Sequence, residues 1–362
     1  MHAGPACRAP RPFCVGPRGE GSVGSHPLRY CPAPKGNSMA LLSVKDVKKY
    51  FPVARGFSRH IVGEVKAVDG ISFDVEAGKT LGLVGESGCG KTTLARIILN
   101  LLNPTAGKIS FEGQEITGLS QDSMRPLRKR LQVVFQDPYN SLNPRMKIDE
   151  ILSEPLLVHG IGDAKQRRLK VLELLSKVGL QADHAKRYPH QFSGGERQRI
   201  GIARALATDP KLIICDEPVS SLDLSIQAQI LKLLTGLQKE LGLSYLFISH
   251  DLRVIESISD SVLVMYLGKA FEYSSTDELY SFPIHPYTEA LFSAISIGPE
   301  RKKRKMIVKG ELPSPLSPPT GCKFNPRCPY AEPRCKVEEP PLEEVKPGHF
   351  VACPPRARQL VK

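Results

Sequence analysis

The stretch GESGCGKTT, Gly85 to Thr93, constrains what this chain can fold into more than any other. It has the spacing G-x-x-x-x-G-K-[ST] and stands between a short apolar run, TLGLVG, and an apolar-periodic segment, TTLARIILNLL. A strand, a glycine-rich turn and a helix in that order make a phosphate loop. The glycines let backbone amides wrap phosphate oxygens at the positive end of the helix. The loop residues are Gly85, Glu86, Ser87, Gly88, Cys89, Gly90, Lys91, Thr92 and Thr93. Lys91 brings a charge to the β- and γ-phosphates, and the Thr92 hydroxyl suits Mg²⁺. Cys89 is a small filler.

Three further runs, RLQVVFQ, KLIICDEP and SYLFISHD, are continuous in Val, Ile, Leu and Phe. Parallel strands covered by helices on both faces read this way. The runs carry Gln136, Asp216 and His250 at their carboxyl ends, where ligands gather in open α/β sheets. Upstream, LLSVKDVKKYF alternates like a strand. Val171, Leu174, Leu175 and Val178 lie on one face of an amphipathic helix, within a helical subdomain expected at about 137–200. No internal repeat is evident, so the chain holds one such unit.

The Asp216–Glu217 pair supplies two adjacent carboxylates. Asp216, at a strand end, can hold Mg²⁺ directly or through water. Glu217 is then placed to orient or deprotonate a water that attacks the γ-phosphate, or it pairs with a basic neighbour. Gln136 can bond metal-bound water through its carbonyl. His250 can donate to a γ-phosphate, or it is a structural strand-end histidine. Ser193, Gly194 and Gly195 open a helix, ERQRIGIARALA. They form either an ordinary Ser-capped helix start or a second phosphate hand. The second reading makes sense if two chains pair head to tail, each hand covering the other's nucleotide across a two-fold axis. SSLD, Ser220 to Asp223, follows the acidic pair closely and can relay the state of the nucleotide to a neighbour.

This set resembles an ATP-binding-cassette nucleotide-binding domain. The phosphate loop, Gln136, SGGERQR, Asp216–Glu217, SSLD and His250 stand in that family's order over roughly residues 40–300. FSGGE replaces the commoner Leu-Ser-Gly-Gly. The resemblance implies a P-loop NTPase fold: a RecA-like α/β core, an antiparallel β subdomain and a helical subdomain. It implies ATP and Mg²⁺, with Thr92, Gln136 and Asp216 around the metal and Asp223 near the nucleotide. Lys91, Gln136, Glu217 and His250 are the hydrolytic groups. The family stacks adenine on an aromatic near the first strand, for which Phe51 matches best and Tyr50 is the alternative. VKAVDGISF, FQDPYNSLNPRM, HPYTEAL and GCKFNPRCPYAEPRC are similar to the oligopeptide/dipeptide permease ATPases, F-type subunit. Such a subunit pairs with a D-type sister or itself, with two membrane permease subunits and with an extracytoplasmic binding protein. The stretch after Gln136 would receive a coupling helix. Related importers carry nickel or sugars, and some soluble cassettes act on nucleic acid.

Charge and cysteines bound the rest. The formal charge is +13, with five Lys/Arg against one Glu in residues 1–38 and fourteen against six in residues 301–362. The body is therefore almost neutral, which argues against a nucleic-acid partner. No apolar run approaches the roughly 18 residues that span a bilayer, and no signal peptide is evident, so a cytoplasmic location at a membrane partner is expected. Residues 1–38 are rich in Gly, Pro and Arg and read as an unstructured or mis-assigned extension, with Cys7, Cys14 and Cys31 in no paired spacing. Residues 39–300 read as the cassette and 301–362 as a small Cys-rich extension. There Cys322, Cys328, Cys335 and Cys353 are separated by five, six and seventeen residues. Disulfides are disfavoured in that compartment and structural zinc prefers tighter pairs; the spacing alone is indecisive. The resemblance implies a [4Fe–4S] cluster on these four.

Overall fold

The computed structural model describes residues 40–55, 60–137, 139, 141–293, 310–311 and 313–360. The segment 1–38, with its three cysteines, and the basic run 300–305 lie outside the described residues.

Among the described residues the strands form two sheets. The first is antiparallel, of β1 (Leu42–Arg55), β2 (His60–Val75), β4 (Ala106–Phe111) and β5 (Gln114–Glu115), in the order β2-β1-β4-β5. The second is built on four parallel strands, β3 (Thr80–Val84), β6 (Leu131–Val134), β7 (Leu212–Asp216) and β8 (Ser244–Ile248). β9 (Ser261–Tyr266) runs parallel beside β3, and β10 (Lys269–Ser275), β11 (Glu343–Lys346) and β12 (His349–Val351) add an antiparallel edge. The order is β11-β12-β10-β9-β3-β8-β7-β6.

The apolar runs are continuous because neighbouring residues point into different cores. Leu81, Leu83, Leu212, Ile214, Leu246 and Ile248 pack towards the antiparallel sheet, with Val44, Phe73 and Phe111. Ile213, Cys215, Tyr245 and Phe247 pack on the opposite side, with residues of the helices. A period-2 strand that is covered on both faces has no position left for polar residues.

Helix α1 (Lys91–Ile98) follows the phosphate loop and ends earlier than TTLARIILNLL suggests. Asn100 adopts φ 53°, its N–H bonds the Ile97 carbonyl at 2.9 Å, and the Leu101 N–H bonds the Arg96 carbonyl at 2.9 Å. That pair of bonds closes a helix on a left-handed residue. The Asn100 amide holds the turn by donating to the Leu119 carbonyl at 2.7 Å. After α2 (Gln121–Met124) and β6 come α3 (Ile148–Val158), α4 (Ala164–Lys177) and α5 (Gly194–Leu206). Val171, Leu174 and Leu175 on α4 and Val178 at its C-cap are all buried, as their spacing predicts. Helices α6 (Leu224–Leu241), α7 (Leu252–Ile258), α8 (Thr276–Ser281) and α9 (Pro286–Ser293) follow, and α10 (Pro354–Leu360) lies in the Cys-rich C-terminal segment.

The Cys-rich C-terminal segment packs into the main core. Phe324 is fully buried, with its ring 5.6 Å from Tyr266 and 5.5 Å from Tyr287. The buried Glu272 on β10 accepts hydrogen bonds from the Ile284 and His285 amides, and its carboxylate lies 2.7 Å from His349 Nε2 of β12. Burial holds the His285 imidazole down at about 3, so it stays neutral. No helix among the described residues is long and apolar enough to cross a membrane.

Candidate active site

The carboxyl ends of β3, β7 and β8 and the start of α1 converge on a cavity of about 530 Å³. Gly88, Lys91, Thr92, Gln136, Glu217 and His250 are among its walls. The topology thus brings together groups from four separate stretches of sequence, because parallel strands share one carboxyl rim.

The loop needs its glycines for close approach. Gly90 has φ 107°, and a Cβ there would lie 2.0 Å from the Ala67 carbonyl oxygen. The Lys91 ammonium is almost buried and donates to the Gly85 carbonyl at 2.7 Å and the Glu86 carbonyl at 3.1 Å. Cys89 is buried beside it, and burial raises the thiol against the opposing Lys91 charge. The Cys89 carbonyl accepts the Gly268 N–H at 3.0 Å, which ties the loop to the tight turn between β9 and β10.

Thr92 Oγ1 donates to Asp216 Oδ1 at 3.2 Å. Burial raises the Asp216 carboxyl; the Thr92 bond opposes this and the neighbouring Glu217 charge adds to it. The Thr92 hydroxyl and the Gln136 amide line the cavity, and with the desolvated Asp216 carboxylate bonded behind Thr92 they make an all-oxygen donor set that fits Mg²⁺. Glu217 takes φ 49°, a left-handed conformation that is strained for a residue with a side chain. Its N–H is tied to the Ile248 carbonyl at 2.9 Å, and its Oε2 lies 2.8 Å from His250 Nδ1. His250 is the more exposed of the two, with side-chain exposures of 56% and 15%. The pair therefore stands with its histidine towards the mouth.

Ser193, Gly194 and Gly195 do not line this cavity. Ser193 is the N-cap of α5 in a full capping box, with its hydroxyl donating to Glu196 Oε2 at 2.7 Å. That bond holds the Glu196 carboxyl below its usual range. Gly195 permits close contact with α6, since a Cβ would lie 2.5 Å from Ile226. Phe192, where leucine is commoner, is buried with its ring 5.2 Å edge-on to His184. Asp223 is the exposed N-cap of α6 and accepts from the Ser225 hydroxyl at 3.0 Å. Ser220 donates to the Glu217 carbonyl at 3.1 Å, a direct link between SSLD and the acidic pair.

Phe51 is half-exposed, carries the Lys49 ammonium 5.2 Å above its ring, and is not among the cavity walls. Tyr50 instead donates to Asp69 at 2.6 Å. Lys269 and Lys323 also reach Asp69, at 3.3 and 3.1 Å. Burial by itself would raise that carboxyl, but the Tyr50 bond and the two lysine charges outweigh it and hold it at about 2. A carboxyl lowered on folding from about 3.8 adds stability above the unfolded value and loses it as pH falls through about 2. The difference corresponds to about 2 kcal/mol. Between pH 5 and pH 2 the parent should lose about that much more stability than Asp69→Asn in urea unfolding. Equal losses in the two proteins would remove Asp69 from the account.

The cysteine expectation is corrected. Cys322, Cys328, Cys335 and Cys353 are free, partly buried thiols. Among the described residues no group of three or more His, Cys, Asp or Glu side chains is arranged to hold a metal ion, so the [4Fe–4S] cluster has no site. Burial holds the Cys322 thiol up at about 11 and the Cys353 thiol up at about 12. A count of four in sequence carries no information on where the sulfurs point.

Sequence reasoning also missed the reach of the extension into the site. Lys323 and Pro318 line the cavity beside Lys91, and Arg327 lies 3.0 Å from Glu86. The basic residues interleaved with the cysteines were the available signal.

Residues 68–220 match the family model described as ABC transporter, and residues 271–335 match the one described as oligopeptide/dipeptide transporter, C-terminal region. The chain is 54% identical over 321 residues to the oligopeptide transport ATP-binding protein AppF of Bacillus subtilis, covering 88% of this chain and 98% of the relative. It is 49% identical over 315 residues to the dipeptide transport ATP-binding protein DppF of Escherichia coli, covering 86% and 93%. In structure it resembles the dimeric post-hydrolysis state of the cassette MJ0796 bound to ADP and Pi, with a TM-score of 0.58 and 27% identity over 65% of this chain and 98% of that one. The likeness to cbiO1 of Clostridium perfringens has the same TM-score and identity, over 67% and 91%. The glycine loop, the paired carboxylates and the histidine at one sheet rim, together with these relationships, assign the chain to the ATP-binding subunits of ABC transporters, oligopeptide/dipeptide family.

Proposed function

We propose that the chain is the ATP-hydrolysing subunit of an importer for di- and oligopeptides, working at the cytoplasmic face of a membrane. The observation that carries this reading is the Glu217–His250 pair, 2.8 Å apart, standing over the cavity that Lys91 and Thr92 enter. The loop amides and Lys91 bind the phosphates. Thr92, Asp216 and Gln136 would hold Mg²⁺, which would neutralise phosphate charge. Glu217 orients an attacking water and accepts its proton. His250 steadies Glu217 and reaches the γ-phosphate from the mouth.

The far half of the pocket comes from a second cassette, either a sister subunit or another copy. Supporting this, Ser193–Gly195 stand outside the chain's own cavity, at the N-terminus of α5. Residues 39–300 form the cassette, with a helical part over about 137–200, and 301–362 form the extension. Exposed Phe135 lines a groove of about 520 Å³ together with Val133, Pro155 and Arg204. That groove, with apolar and polar walls, suits a helix from a membrane permease subunit. An extracytoplasmic binding protein would select the peptide.

The test is the dependence of turnover on concentration. ATPase activity per mole should rise steeply with protein concentration and level off once the dimer is formed. It should rise again when permease subunits, binding protein and peptide are reconstituted together. Full activity per mole at high dilution would refute the shared pocket, and no response to any peptide would refute the cargo.

A further inference from the structure

We propose that Arg327, in the Cys-rich extension, is a positioning residue for the phosphate loop, acting through Glu86. The inference rests on the ATPase reading above and adds a part of the chain to it. Arg327 Nη1 lies 3.1 and 3.0 Å from the two carboxylate oxygens of Glu86, across 241 residues of sequence. The guanidinium is nearly buried, with its centre 5.9 Å from the Phe324 ring and one N–H on the Tyr266 hydroxyl at 3.3 Å.

Glu86 is held at three points. Its side chain is on Arg327, its N–H donates to the Tyr287 hydroxyl at 2.9 Å, and its carbonyl accepts the Lys91 ammonium at 3.1 Å. The chain of contacts from Arg327 therefore ends on the lysine that meets the phosphates. The other side of the loop is tied in parallel. Lys323 donates to the Leu267 carbonyl at 3.1 Å, and the next residue, Gly268, holds the Cys89 carbonyl. Residues 323 and 327 of one short segment thus bracket the loop.

Fold stability is a poor reason for this arrangement. Arg327 Nε is buried and has no hydrogen-bond partner among the described residues. An orphaned buried donor is costly, and an apolar side chain would fill the place at less cost. What the charge supplies is a loop already ordered before the nucleotide arrives, so that less ordering is needed on binding. Glu217 and His250 stand at the ends of β7 and β8, apart from these contacts, and Lys91 keeps its shorter bond to the Gly85 carbonyl at 2.7 Å, so the chemical step should be little affected.

Steady-state ATPase of the full chain tests this with Arg327→Ala, Arg327→Lys, Glu86→Gln and the double variant Glu86→Gln/Arg327→Ala. Arg327→Ala should raise KM for ATP about tenfold with kcat within about twofold. Arg327→Lys, which keeps one charged donor, should stay within about threefold of the parent in KM. Once Glu86→Gln is present, Arg327→Ala should add less than about twofold. If Arg327→Ala melts below the assay temperature, Arg327→Gln keeps most of the volume without the charge and carries the same comparison. An unchanged KM, or a full tenfold effect in the Glu86→Gln background, would overturn the assignment. A parent that turns over with a KM indifferent to residue 327 defeats only this inference, whereas a parent without turnover defeats the ATPase reading itself.

Discussion

Glu217→Gln should bind ATP as tightly as the parent and lose about a thousandfold in turnover. The amide fills the same volume, can keep a hydrogen bond to His250, and leaves Lys91 and the loop amides untouched, so binding survives. It cannot accept a proton from the attacking water. A well-placed general base is worth about 10²–10⁴ in rate, and the value expected here lies in the middle of that range. The left-handed backbone of Glu217, φ 49°, points the same way. A strained conformation persists where the surroundings over-determine it, here through the N–H bond to Ile248 and the contact with His250. Equilibrium binding of ATP beside single-turnover hydrolysis checks both halves. Turnover within tenfold of the parent would transfer the base to another group.

Gly90→Ala should bind ATP at least about a hundredfold more weakly while the rest of the cassette stays folded. The new methyl would lie 2.0 Å from the Ala67 carbonyl oxygen, inside any tolerable contact. Backbone must move, either at Ala67 on β2 or in the loop itself. Gly90 immediately precedes Lys91, the first residue of α1, so its displacement carries the lysine and the helix amides away from the phosphates. Loss of even two charge-assisted hydrogen bonds, each about 1.5–3 kcal/mol, accounts for a change of this size. Titration with a fluorescent nucleotide, with a melting curve as the control for folding, reads the effect. An affinity within threefold of the parent would mean that the loop has slack that its close contacts deny. The control substitution is Gly88→Ala, where a Cβ meets nothing within 4 Å and only the φ of 79° resists; its penalty should be smaller.

The parts of this protein that were readable in advance share one property: each depends on local sequence. A continuous apolar run is a buried parallel strand whatever else the chain does, and β6, β7 and β8 lie where those runs lie. The glycine spacing sets the loop, and the residues at the strand ends follow from chain direction. Gln136, Glu217 and His250 therefore reach one cavity although 81 and 33 residues separate them in turn. The end of α1 was less legible, because Asn100 in the left-handed region is a choice between helix and turn that the Leu119 carbonyl decides from another segment.

Local sequence determined the strands, the loop, the amphipathic helix and the rim on which the chemistry stands, since those follow from side-chain period and from glycine. Tertiary structure alone decided the long-range pairings. It placed Tyr50 on Asp69, Arg327 on Glu86 and His349 on Glu272. It also left Cys322, Cys328, Cys335 and Cys353 as thiols without a metal-holding arrangement among the described residues. A contact between residues 19, 77 or 241 positions apart depends on how strands, sheets and helices come together, and residue identity at either end records the capacity for the contact without recording the partner.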